Sequence, residues 1–95
     1  MIDHIVLWRL KEPADAPRFK AILDTCAQLV PGILRFEVSI REEGLEANAD
    51  VVLVSRFADE AALAAYQQHP EHQKVLQQLG PLRVERHVLD ARVPA

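Results

Sequence analysis

The chain has 95 residues, of which 49% are hydrophobic, and a formal net charge of −3. A chain of this length fits one domain with one core, so we treat residues 1–95 as a single domain. The small negative charge and the scattered basic residues argue against nucleic acid or a membrane as a partner. No apolar run approaches the roughly 18 residues that span a bilayer, and the N-terminus lacks a secretory signal, so we expect a cytoplasmic protein.

The N-terminal third of the chain predicts a strand followed by a helix. Residues 3–10 alternate with the period of a strand, and both faces are apolar near its centre. Asp15 is suited to cap a helix, which we predict over residues 16–29 because apolar side chains recur there at helical spacing. Cys26 lies on that apolar stripe and is the single cysteine, so we interpret it as a core residue.

Two strands follow. Residues 33–41 alternate between apolar and polar side chains, which indicates a strand with one wet face and suits the edge of a sheet. The polar stretch 42–48 predicts a loop. Residues 51–57 are apolar on both sides, which is typical of a strand covered on both faces.

A broken helix and a last strand complete the chain. Residues 60–68 have helical spacing, and Pro70 then suits the first turn of a new helix that runs to about residue 79. Residues 83–93 predict the last strand. The order strand, helix, strand, strand, helix, strand predicts an α+β fold, the ferredoxin-like split βαβ arrangement: an antiparallel sheet with its helices on one face. We expect the last strand beside the first, then the third, then the second.

One face of this sheet would remain uncovered. The first and third strands are apolar on both faces, whereas the helices can cover only one. We therefore predict a two-fold homodimer whose sheets pack face to face.

The segment from Tyr66 to His72 contains the chemistry-bearing residues. Tyr66 lies on the inward stripe of the first half of the broken helix, and His72 shares an apolar stripe in the second half. Both side chains therefore point at one interior from either side of the break. His4 lies on an otherwise apolar strand face, and His69 directly precedes Pro70.

The sequence resembles the stress-responsive dimeric α/β-barrel family, often abbreviated Dabb. The resemblance rests on the opening strand His4-Ile-Val-Leu-Trp-Arg-Leu-Lys11 and on the motif His69-Pro-Glu-His72, and it extends over nearly the whole chain. Members form homodimers in which two sheets make a shared barrel. The resemblance to a plant polyketide cyclase of this family implies a proton-transfer site of His4, Tyr66 and His72. That enzyme has a histidine at the start of strand three, where this chain has Val51.

These observations leave three functions open. The first is a homodimeric α/β barrel that binds a small apolar or aromatic molecule between sheet and helices. In that interpretation His72, Tyr66 and His4 carry out cofactor-free proton transfer, and His69, Trp8 and Val51 line the ligand site.

The second function is a non-enzymatic structural or stress-associated dimer, in which the same residues only hold the break in the helix. The third is a cofactor-independent monooxygenase, which rests on the barrel architecture alone. We predict no metal site, because the two histidines of the motif offer only two ligands on a broken helix.

Overall fold

The computed structural model describes residues 1–94 and gives one four-stranded antiparallel sheet with helices against one face. In this part of the chain the elements are β1 (Ile2–Leu10), α1 (Ala16–Asp24), β2 (Ile33–Ile40), β3 (Val51–Phe57), α2 (Glu60–Gln68), α3 (Pro70–Leu79) and β4 (Arg83–Arg92). Short 3₁₀ turns at Pro13–Asp15 and Gly80–Leu82 lead into α1 and β4. The predicted ferredoxin-like fold is therefore confirmed.

The strands lie in the order β2-β3-β1-β4, as the sequence predicts. The two strands that are apolar on both faces, β1 and β3, occupy the centre, and β2 and β4 form the edges. Alternate residues of β1 and β3 are buried under the helices. The opposite face of the sheet, which we call the open face, carries Ile5, Leu7, Val52, Val54 and Leu89.

The core lies between the helices and the inner face of the sheet. Its largest fully buried side chains are Tyr66, Phe19 and Phe57. Trp8 packs its ring edge against Phe19 at 5.1 Å between centroids. Burial of these aromatic rings removes much apolar surface from water and holds the helices on the sheet.

The first helix is shorter than the sequence predicts. It ends at Asp24 rather than near residue 29, because Thr25 turns the chain with its hydroxyl and its backbone N–H both donating to the carbonyl of Ile22. Cys26 is nevertheless fully buried in the core, as predicted. It lies in the turn that follows α1 and not in the helix itself. The side chain of Asp15 makes no capping hydrogen bond. None of the helices in residues 1–94 is long and apolar enough to cross a membrane.

Candidate functional site

The break between α2 and α3 brings Tyr66 and His72 together. The Asp59 carboxylate caps α2 by accepting a bond of 2.8 Å from a backbone N–H of its first turn. His69 then adopts an extended conformation, with φ −63° and ψ 135°, as expected of a residue that precedes proline. Pro70 starts α3 in a new direction. As a result the rings of Tyr66 and His72 lie 4.5 Å apart between centroids.

One hydrogen bond fixes the proton of His72. Its Nδ1 lies 3.1 Å from the carbonyl oxygen of Gln67. A carbonyl oxygen can only accept, so Nδ1 carries the hydrogen, and in the neutral ring Nε2 keeps its lone pair. Burial lowers the pKa of His72, and this effect outweighs the Gln67 carbonyl, which favours the charged form. His72 is therefore neutral at pH 7 and can accept a proton at Nε2.

His4 is held by a carboxylate from the last strand. It is only 3% exposed, and its Nδ1 lies 2.5 Å from Oδ1 of Asp90. The ladder between β1 and β4 places these two residues directly opposite each other. The carboxylate accepts the Nδ1 hydrogen and orients the ring, whose centroid lies 6.3 Å from that of Tyr66. Asp90 was not among the site residues predicted from the sequence. Placing β4 beside β1 and pairing the two strands residue by residue would have revealed it.

Tyr66 lies at the centre of the group. It is 1% exposed and lies between His4, His72 and the ring of Phe57, whose centroid is 5.1 Å away. Burial raises the pKa of the Tyr66 hydroxyl well above its ordinary value, and the nearby Cys26 adds to the rise. The phenol therefore stays protonated and can serve as a hydrogen-bond donor. Cys26 is a second neighbour of the site that the sequence analysis assigned only to the core.

The other three predicted site residues lie further from this group. His69 caps α3, because its Nδ1 accepts a bond of 3.1 Å from the backbone N–H of Glu71. Trp8 and Val51 face each other across β1 and β3 and are both buried. In the same ladder His4 faces Ser55, four residues further along β3 than Val51. Val51 therefore lies four positions along the sheet from His4, beside Trp8.

Open space lies beside this group of residues. A cleft of about 270 Å³ between α3 and the strands β1 and β4 is lined by Trp8, Leu76, Leu79, Arg83 and Arg86. Leu76 follows His72 by one helical turn, so the cleft adjoins that imidazole. His4, Tyr66 and His72 do not form its lining; they pack against one another next to it.

A larger depression, of about 470 Å³, lies where the loop between β2 and β3 meets the open face at Leu7 and Val52. Val51 lines that depression and not the cleft. Within residues 1–94, no cluster of three or more His, Cys, Asp or Glu side chains could hold a metal ion.

The fold and the residues of this site define a small ferredoxin-like α+β protein with an aromatic and imidazole cluster under its helices. The chain belongs to the stress-responsive A/B barrel domain family, Dabb, whose model matches residues 2–93. Among curated proteins no match was found.

Solved structures with this fold include two described as dimeric ferredoxin-like proteins of unknown function. The protein from Thermobifida fusca YX has 22% sequence identity and a TM-score of 0.85, over 97% of this chain and 90% of that one. The protein from Jannaschia sp. CCS1 has 26% identity and a TM-score of 0.76, over 97% and 98%. A putative antibiotic biosynthesis monooxygenase from Nitrosomonas europaea has 16% identity and a TM-score of 0.79, over 98% of both chains.

Proposed function

We propose that this chain forms a homodimeric α/β barrel that binds a small apolar or aromatic molecule between sheet and helices and moves a proton on it without a cofactor. The observation that carries the proposal is the convergence of three side chains able to exchange protons, Tyr66 with His72 at 4.5 Å and His4 at 6.3 Å between ring centroids. Each buried polar side chain needs hydrogen-bond partners, which Asp90 supplies to His4 and the Gln67 carbonyl supplies to His72. Three such side chains in one interior exceed what the helix break requires.

The roles follow from the hydrogen bonds. His72 acts as the general base through Nε2, because its other nitrogen donates to Gln67 and burial keeps the ring neutral. Tyr66 acts as a donor to the oxyanion that develops on the substrate, because its raised pKa keeps the hydroxyl protonated. His4 is a further polar contact, oriented by Asp90.

The homodimer in this proposal is supported by the open face. Its apolar side chains include Leu7, which is 40% exposed, and Leu89, which is 64% exposed. An apolar patch across the two central strands and the edge strand β4 is typical of an interface between copies of a chain. The relatives from Thermobifida fusca YX and Jannaschia sp. CCS1 are described as dimeric.

The experiment that tests proton transfer is isotope exchange. Small carbonyl and phenolic compounds are incubated with the protein in D₂O, and deuterium incorporation at acidic carbons is followed by NMR. For any compound that exchanges, we expect His72→Gln to slow the reaction by about 10²- to 10⁴-fold, which is the usual contribution of a general base. Gln73→Ala is the matched control, because the Gln73 side chain also donates to the Gln67 carbonyl but carries no base.

A structural dimer without activity is the rival function, and one observation favours it. His72 and Gln73 both donate to the carbonyl of Gln67 across the helix break, as residues that only hold a kink would do. In that case His72→Ala would lower the melting temperature by several degrees, since the Gln67 carbonyl loses one of its two donors and the missing ring leaves a void. A large fall in melting temperature, with no compound exchanging in a broad screen, would favour the rival. The likeness to the putative monooxygenase is one of fold alone and adds no support for that activity.

A further inference from the structure

The cleft beside His72 has an apolar floor and a cationic wall. Trp8 is buried at its base, and Leu76 and Leu79 of α3 form one side. Arg83 and Arg86 of β4 form the other side, and Arg86 lies directly opposite Trp8 in the ladder between β1 and β4. An apolar surface with two guanidinium groups at its margin suits a ligand that is apolar at one end and anionic at the other.

The two arginines of the cleft differ from most other cations of the chain. Seven of the eleven Lys and Arg side chains form ion pairs with carboxylates in the described residues: Arg9, Lys20, Arg35, Arg41, Arg56, Lys74 and Arg92. Arg83 and Arg86 form none within residues 1–94. The positive charge of the cleft is therefore not neutralised by the described carboxylates, although the chain as a whole carries a net charge of −3.

We propose that this cleft binds the carboxylate of a small flat acid, one aromatic ring or an equivalent apolar body bearing a single carboxylate, with the anion on Arg86 and Arg83. This assignment rests on the proposed function, because it names the class of compound that is brought to His72. Guanidinium groups match the planar, two-oxygen geometry of a carboxylate. Pockets for drug-sized ligands start at about 300 Å³, and the 270 Å³ of this cleft lies just below that range, which suits a small ligand.

The position of the cleft fits its use. With the carboxylate of the ligand at Arg86, the ring of the ligand lies over Trp8. The far side of the ring then points toward Leu76, which is one helical turn from His72. Arg86 is close enough for its charge to lower the pKa of His72, after burial and alongside His4. A bound carboxylate would offset that charge and make the imidazole more basic. Binding of the ligand would therefore strengthen the base that removes a further proton from it.

The test uses benzoate, methyl benzoate and phenyl phosphate as probes of the intact protein. Trp8 is the single tryptophan, so its indole N–H signal in ¹H–¹⁵N NMR spectra reports on the floor of the cleft without ambiguity. We expect benzoate to shift this signal and to bind more tightly than its neutral methyl ester. Arg86→Gln should weaken benzoate binding by about 3- to 10-fold, as expected for one charged contact that is partly exposed to water.

Arg18→Gln is the matched control, because Arg18 is exposed and also forms no ion pair within residues 1–94, but it lies on α1, away from the cleft. It should leave benzoate binding unchanged, and the rest of the spectrum verifies that both variants are folded. Equal affinity for benzoate and methyl benzoate, an unchanged affinity in Arg86→Gln, or no shift with any probe would overturn the assignment. Phenyl phosphate binding tenfold or more tightly than benzoate would overturn the carboxylate in favour of a phosphate.

These outcomes are separable from failure of the proposed function. If His72-dependent deuterium exchange is found while benzoate and its ester bind equally, the proposal of proton transfer is supported and only the proposal of an anionic ligand is wrong. If benzoate binds through Arg86 but no compound exchanges, the cleft is a binding site without the chemistry.

Discussion

The Nδ1 hydrogen bond of His72 controls what that residue can do. The bond to the Gln67 carbonyl leaves Nε2 as the only nitrogen that can accept a proton, and burial keeps the ring neutral. His4 has the same arrangement with a different acceptor, since Asp90 takes its Nδ1 hydrogen. Each imidazole of the cluster is thus oriented by a partner on one nitrogen, which is what preorganised proton transfer requires.

The lowered pKa of His72 predicts a specific dependence of stability on pH. In the unfolded chain the imidazole returns to its ordinary pKa of 6.5. Below that pH the unfolded state takes up a proton before the folded state does, so the free energy of unfolding falls as the solution is acidified through the folded pKa. We expect this part of the loss to be absent in His72→Gln. Urea unfolding at about pH 7.5 and about pH 5.5 measures it for both proteins. The other histidines are common to both, so equal losses would contradict the prediction.

At the scale of elements, the break between α2 and α3 is determined by the local sequence. Pro70 cannot continue α2, and the extended conformation of His69 follows from the ring that comes after it. His69 then caps the new helix through Nδ1. This capping bond gives His69 a structural role whether or not it also contacts a ligand.

Variants of His69 separate these two roles. His69→Ala removes the capping acceptor, and we expect a loss of about 1 kcal/mol in the free energy of unfolding. His69→Asn keeps a good capping acceptor without an imidazole, so it should retain the stability of the natural protein. Chemical denaturation of the three proteins measures the difference. If His69→Asn is stable but no longer binds or exchanges any compound that the natural protein acts on, His69 is part of the site after all.

The strands and the helix break could be predicted from the sequence because they rest on local rules. Alternation marked β1 and β2, a run that is apolar on both sides marked β3, and the proline marked the start of α3. The end of α1 could not be predicted, since Cys26 continues the apolar stripe although Thr25 has already turned the chain. Asp90 could not be predicted by proximity, because it lies 86 residues from His4 and only the strand register joins them.

The site was likewise predictable only in part. Tyr66 and His72 were assigned to one interior by helical spacing, and the rings do meet. The separation of Val51 from His4 depends on the length of β3 and on its register with β1. The cleft depends on Arg83 and Arg86, whose pairing state cannot be seen in a sequence.

At the scale of the whole molecule, the open face is the surface through which we propose that two chains associate. Val52 lies at the centre of that face, opposite Leu7 in the ladder between β1 and β3. We expect Val52→Glu to dissociate the homodimer, because an unpaired carboxylate buried in an interface costs several kcal/mol. Light scattering should then give a mass near the 10.7 kDa of one chain, and twice that for the natural protein.

Gln77→Glu is the control for this charge change, because Gln77 is exposed on α3, on the other side of the sheet. It should leave the measured mass unchanged. A dimer that survives Val52→Glu would show that the open face is not the interface, and a natural protein that is already monomeric would exclude the homodimer itself.

The register of β1 also has a consequence for how the domain is made in the cell. Ile2 pairs with Phe57 on one side and with Arg92 on the other, so β1 precedes both of its neighbours in the chain and receives the second one only when β4 has been made. Closing such long loops is slow, and during translation β1 stays without its partner strands while its apolar side chains have left the ribosome. Nascent chains of this domain should therefore depend on chaperones until β4 emerges, and substitutions in β4 should reduce the yield of folded protein even where they barely change the stability of the finished molecule.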